Sequence, residues 1–230
     1  MRLAFLLSLL SLLTVSASTQ VREGSIGGTA LADDGGPVAN ARVSAEVMQG
    51  SKILTVLNTN TDDLGVFAFS RLVAGEYRVS AEKQEAGYLS TRPDIFTSEP
   101  ALTVVLTPDT PTVNTLIRFK PKAGSLTGWV RDSATGRSMA AHLSLAPTFG
   151  CGWSTTGTAG RFEFRLLVPA DTPVNFGACA EGYKPWFYAD HSNPSRPVPL
   201  KLGAGAELEI NIMLERSTQE AHTRCLYGKF

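Results

Sequence analysis

Four aromatic side chains crowd into six residues at Tyr183, Trp186, Phe187 and Tyr188, and Asp190, His191 and Asn193 follow at once. Sugars present apolar C–H faces that stack on aromatic rings, and hydroxyls that pair with Asp, Asn and His. Aromatic groups carried by a loop on a rigid scaffold suit that task. Tyr183, Trp186, Tyr188 and His191 are therefore the candidate ligand-binding residues. The same stretch has a plainer account, in which Tyr183 and Trp186 fold back to cap the end of a small core. An exposed Trp186 favours the first account and a buried one the second.

Other chemistry finds less support. A catalytic zinc needs His and Glu ligands that leave one position open, and none of His142, His191 and His222 stands in a His-x-x-Glu context. An iron site of two tyrosines and two histidines would need a second histidine beside Tyr183, Tyr188 and His191, and none is near in sequence. Ser154 lacks the Gly-x-Ser-x-Gly elbow of a nucleophile. Asn58, Asn60 and Asp62 echo a calcium loop, but its last position would be Phe69, which cannot ligate calcium; a turn held by side-chain hydrogen bonds explains them better. The sequence thus nominates no catalytic residue, no metal ligand and no cofactor. Three cysteines, Cys151, Cys179 and Cys225, all fall in the second half. Cys151 and Cys179 are the expected disulfide, because both sit in expected strands of one unit, whereas Cys225 lies in a polar tail.

The amino terminus reads as an export signal. Arg2 precedes an apolar run, Leu3 to Val15, and Ser16, Ala17 and Ser18 supply small residues for cleavage after Ala17 or Ser18. The run is shorter than the roughly 17–25 residues that span a bilayer. An extracellular or periplasmic location follows, with no membrane span after cleavage. The 230 residues carry 21 basic and 21 acidic side chains. That balance offers no cationic excess for nucleic acid or for an anionic membrane surface.

The elements that must position these residues come in two similar sets. Gly65, Phe67 and Phe69 recur 95 residues on as Gly160, Phe162 and Phe164, as do Leu72-Val73 in Leu167-Val168 and Gly87-Tyr88 in Gly182-Tyr183. Nearer the start the offset is 100, matching Gly24-Ser25 with Gly124-Ser125. Short β-branched and aromatic runs alternate with turn residues at a spacing of about 8–12 residues, as in β-sandwiches. Expected strands cover Ile26 to Leu31, Arg42 to Met48, Ile53 to Thr59, Val66 to Ser70, Tyr77 to Ala81 and Thr112 to Phe119. In the second set they cover Ser125 to Arg131, Ala141 to Leu145, Cys151 to Thr156, Arg161 to Leu166, Val174 to Ala180, Val198 to Leu202 and Glu207 to Leu214. Phe67 and Phe69, two apart, share one strand face and read as core.

These motifs resemble the carboxypeptidase regulatory-like domains, a transthyretin-like group of seven-stranded β-sandwiches. The resemblance rests on Asp34-Gly35-Gly36-Pro37-Val38-Ala39-Asn40-Ala41, on Asp62-Asp63-Leu64-Gly65-x-Phe67-x-Phe69, on Gly75-x-Tyr77 and on Gly87-Tyr88. The second set keeps Gly128-x-Val130-x-Asp132, Gly160-x-Phe162-x-Phe164 and Gly182-Tyr183, but has Thr172-Pro173-Val174 in place of Gly-x-Tyr. The resemblance implies an all-β chain of two tandem Ig-like sandwiches, residues 21–119 and 124–216, after a signal peptide at 1–17 and before a polar tail at 217–230. It implies a non-catalytic extracellular module, by analogy of fold alone. The expected function is binding of carbohydrate or another surface polymer. The alternative is a structural spacer or protein-interaction module. The expected partners are a carbohydrate or a surface protein, with no nucleic acid.

Overall fold

The computed structural model describes residues 23–93, 99–146, 153–155, 163–190 and 193–217. The expected signal peptide, Cys151, His191, Cys225 and most of the polar tail lie outside these residues. Among the described residues no helix is long and apolar enough to cross a membrane.

Side-chain alternation builds the first unit. In β2 (Arg42–Gln49) Val43, Ala45 and Val47 turn to one side and join the core, while Arg42 and Gln49 are exposed. β2 lies between β3 (Lys52–Asn60) and β5 (Gly75–Glu82), and β6 (Leu102–Leu106) closes a four-stranded sheet in the order β3-β2-β5-β6. A three-stranded sheet runs β4 (Val66–Leu72), β1 (Gly24–Leu31), β7 (Thr112–Arg118). Here β1 is antiparallel to β4 and parallel to β7, with Ser25 opposite Thr112 through Leu31 opposite Arg118. Ile26, Phe67, Phe69 and Ile117 from this sheet meet Val43, Tyr77, Val79, Val104 and Leu106 from the other in one buried cluster. Seven strands in two facing sheets make a β-sandwich.

Two glycines are required by geometry. Gly65 adopts φ +74 in the turn before β4, and Asp62 Oδ1 accepts the N–H groups of Leu64 and Val66 there, at 2.9 and 2.8 Å. That is the hydrogen-bonded turn expected of this segment. At Gly28 a β-carbon would lie 2.1 Å from the Thr115 carbonyl oxygen and 2.8 Å from the Phe67 ring.

The second unit begins with β8 (Gly124–Asp132). It pairs antiparallel with β11 (Glu163–Val168) and parallel with both β16 (Glu207–Glu209) and β17 (Ile212–Leu214). The facing sheet runs β10 (Trp153–Thr155), β9 (His142–Ala146), β12 (Asn175–Cys179), β13 (Trp186–Phe187). A separate ribbon joins β14 (Ala189–Asp190) to β15 (Asn193–Pro197). Leu126, Val130, Leu143, Val174, Phe176, Ile212 and Leu214 form a second buried cluster that shares no residue with the first.

Several expectations need correction. Val198 to Leu202 is not a strand: Pro197 and Pro199 lack the N–H a ladder needs, and Leu200 makes only an isolated bridge to Val174. The single strand expected over Glu207 to Leu214 is two strands, interrupted at Ile210 and Asn211. β6, a five-residue run flanked by Pro100 and Pro108, had no expected counterpart. Part of the aromatic stretch read as loop is extended, as β13 and β14.

The join between the units is hydrogen-bonded on both sides. The Phe119 N–H donates to the Leu31 carbonyl and the Ala123 N–H to the Gly87 carbonyl, both at 2.8 Å. On the other side the Gly205 N–H donates to the Lys122 carbonyl at 3.1 Å. The Tyr88 ring lies 5.1 Å from the ring of Phe119, and Lys122 Nζ lies 5.5 Å from the centre of the Tyr88 ring.

Candidate functional site

β8 ends at Asp132, where the chain turns sharply. Asp132 is 3% exposed. Its Oδ1 accepts the N–H groups of Ala134 and Thr135, both at 2.9 Å, which fixes the turn locally. Its Oδ2 accepts the Tyr183 hydroxyl at 2.7 Å and Arg216 through Nε at 3.0 Å and Nη2 at 2.9 Å. The Arg216 guanidinium also sits 5.7 Å from the centre of the Tyr183 ring. Gly182 and Tyr183 thus hold the end of the second unit: Ser217 N–H donates to the Gly182 carbonyl at 2.9 Å, and Tyr183 and Arg216 form a backbone bridge.

The electrostatics follow from these bonds. The Tyr183 hydroxyl, and then the N–H of Thr135, Arg216 and the N–H of Ala134, hold the Asp132 carboxyl well below the usual carboxylate range against the opposing pull of burial. The bond to Asp132, with burial, pushes the Tyr183 hydroxyl above its ordinary value of 10.0. Both Asp132 oxygens are occupied by donors, so this cluster braces the fold and presents no free acid or base.

The brace sets a pH window. A carboxyl whose folded pKa lies below its unfolded value of about 3.9 contributes stability above that value and loses it as pH falls toward the folded one. A tyrosine with a raised folded value contributes below about 10 and loses its contribution as pH rises through that folded value. Asp132→Asn is expected to lower the urea midpoint at neutral pH, with the gap to wild type closing below about pH 4. Urea titrations across the acid range check this. A gap that stays constant through that range would mean the ionised carboxyl is not the source.

The other nominated residues are placed as follows. Trp186 is half-buried on β13 and meets Phe176 edge-on, with ring centres 5.7 Å apart at 75°. Tyr188 is half-buried against the same core, and its N–H donates to the Phe176 carbonyl at 2.9 Å. Tyr183, Trp186 and Tyr188 therefore gather on the rim of the second core, with the Tyr183 hydroxyl already committed. Cys179 is buried and disulfide-bonded, and its partner lies outside the described residues. Among the described residues no cluster of His, Cys, Asp and Glu could hold a metal.

Sequence reasoning missed two arrangements. Asp132 stood in a quoted motif and Arg216 at the end of an expected domain, but no spacing linked them. Trp129 and Arg131 occupy the outer face of β8, and the guanidinium stacks 4.1 Å from the centre of the indole. Residues two apart on a strand share a face, and that was the available signal. Arg131 Nε is buried and finds no partner among the described residues. Between the units, Leu89, Thr91, Arg118, Pro121, Pro169 and Ala170 line a cavity of about 120 Å³. That is below the about 300–1,000 Å³ typical of small-molecule sites.

Solved structures similar to the chain share little sequence with it. The Bacillus anthracis TIE protein matches at 15% identity and a TM-score of 0.35, covering 84% of this chain and 34% of its own. A streptococcal ancillary pilin matches at 14% identity and a TM-score of 0.41, covering 87% and 64%. The minor pilin GBS52 of Streptococcus agalactiae matches at 12% identity and a TM-score of 0.35, covering 85% and 97%. The chain thus spans about a third of the first of these proteins and just under two thirds of the second. No curated protein matches the sequence. The first unit supplies the family signal: residues 25–112 match the model of the carboxypeptidase regulatory-like domain.

Proposed function

We propose that this chain is an exported, non-catalytic surface module in which two tandem sandwiches, residues 21–119 and 124–216, act as a stiff spacer or protein-interaction unit. The observation that carries the reading is the join. Ala123 is tied back to Gly87 and Lys122 is tied forward to Gly205, with Tyr88 packed on Phe119 beneath. A free linker would leave these backbone groups to water; here the ties favour one relative orientation. The shared sheet order, a central strand with one antiparallel and one parallel neighbour facing a four-stranded sheet, supports reading the units as copies. Export would place Cys179 in an oxidising compartment, with Cys151 as its proposed partner.

Amide ¹⁵N relaxation tests the spacer. One rotational correlation time for both units is expected, and two distinct times would sink it.

A second reading keeps a specific observation: Trp186, on β13, and Tyr188, between β13 and β14, are only half-buried. A carbohydrate site there would retain the protein on one of a panel of polysaccharides and lose retention in Trp186→Ala. Binding with that loss would move the function to this rim.

A further inference from the structure

β3 is the longest edge strand among the described residues, nine residues against seven for β4 and β7 and five for β6. Its one described partner is β2. Seven of its residues are exposed and two are half-buried. Leu54 is 53% exposed and Val56 45%, both large apolar groups. In an antiparallel pair, successive residues direct their N–H and C=O groups alternately toward the partner and away from it. About four residues of β3 therefore offer both groups to the open edge. The chemistry that satisfies such a row is another extended strand.

Sheet edges are ordinarily guarded by charge, proline or a bulge. β3 has no proline, and its one charged residue, Lys52, is its first. Its register shift falls between Val47 and Met48, at the hairpin end. Beyond that point the strand Thr55–Asn60 is uncharged and regular.

We propose that β3 is the edge at which a second copy of this chain adds its own β3, antiparallel, about a twofold axis. The strand's composition favours this occupant. In a pair centred on Val56, within the regular segment Thr55 faces Leu57 and Val56 faces itself, and Lys52, the one charge of the strand, lies beyond the register shift, so no like charges oppose across the seam. Isologous pairing needs this self-complementarity. It joins the two four-stranded sheets into one continuous sheet of eight and removes an exposed edge from each copy.

Sedimentation equilibrium of the full chain tests the proposal, with circular dichroism confirming that each variant folds. The wild type is expected to form a non-covalent dimer at about 100 μM. Val56→Lys sets two cations face to face at the seam, on a side chain that is already exposed, and is expected to weaken the dimer at least about tenfold. Mixing Val56→Lys with Val56→Glu is expected to restore dimers, because the pair is then complementary. A wild type that stays monomeric at that concentration overturns the proposal. So does a dimer that Val56→Lys leaves intact, or a mixture of the two folded variants that stays monomeric.

Discussion

Phe176→Ala is expected to destabilise the second unit by about 3–5 kcal/mol and to leave the first unit's transition in place. Phe176 is 1% exposed, at the centre of a cluster that shares no residue with the cluster of the first unit. Truncating its ring removes the transfer energy of the buried carbons and leaves a cavity that neighbours such as Leu143 and Val174 fill only in part. It also removes the surface on which Trp186 rests edge-on. All three tryptophans, Trp129, Trp153 and Trp186, belong to the second unit, whereas Tyr77 and Tyr88 are in the first. Tryptophan fluorescence therefore follows one core while far-ultraviolet circular dichroism follows both. The fluorescence midpoint should move to lower denaturant and the dichroism trace should split into two steps. A single transition that shifts as a whole, in both signals, would mean the two cores unfold as one body.

Gly28→Ala is expected to cost about 3 kcal/mol by overpacking, and its damage should fall on the first unit. The new methyl would sit 2.1 Å from the Thr115 carbonyl oxygen. That atom belongs to the backbone of β7, so relief requires a shift of the β1–β7 ladder. The Phe67 ring, 2.8 Å away on the core side, blocks the other direction. Dichroism should lose the first-unit step early while tryptophan fluorescence keeps its midpoint. A variant as stable as the wild type would show that the β1–β7 ladder shifts at little cost.

Much of the fold was legible because it is written in short-range signals. Asp62 and Gly65 sit where a turn must form, and Phe67 and Phe69 where a strand face must be buried, so these assignments needed no knowledge of distant residues. The aromatic stretch was legible only as composition. Its fate depended on Phe176 and on Asp132, which lies 51 residues from Tyr183, and single-sequence patterning carries no information on such pairings. Strand limits failed where proline removed a donor, at Val198 to Leu202. They failed too at Ile210 and Asn211, where the edge partner of β8 changes from β16 to β17. The exposed edge of β3 was visible as an uncharged run, but sheet order decides whether a strand has one neighbour or two.

The parallel pairing of first and last strands bears on how each unit carries tension. The chain enters the first unit at the Gly24 end of β1 and leaves it at the Arg118 end of β7, and these strands run side by side through seven residue pairs. A pull on the two ends drives the strands past one another lengthwise. The interstrand hydrogen bonds then resist together in shear, where a hairpin pulled at its open end would peel one bond at a time. β8 with β16 and β17 gives the second unit the same geometry. Force passing along the chain therefore meets two such clamps in series, each set across the direction in which its bonds yield last.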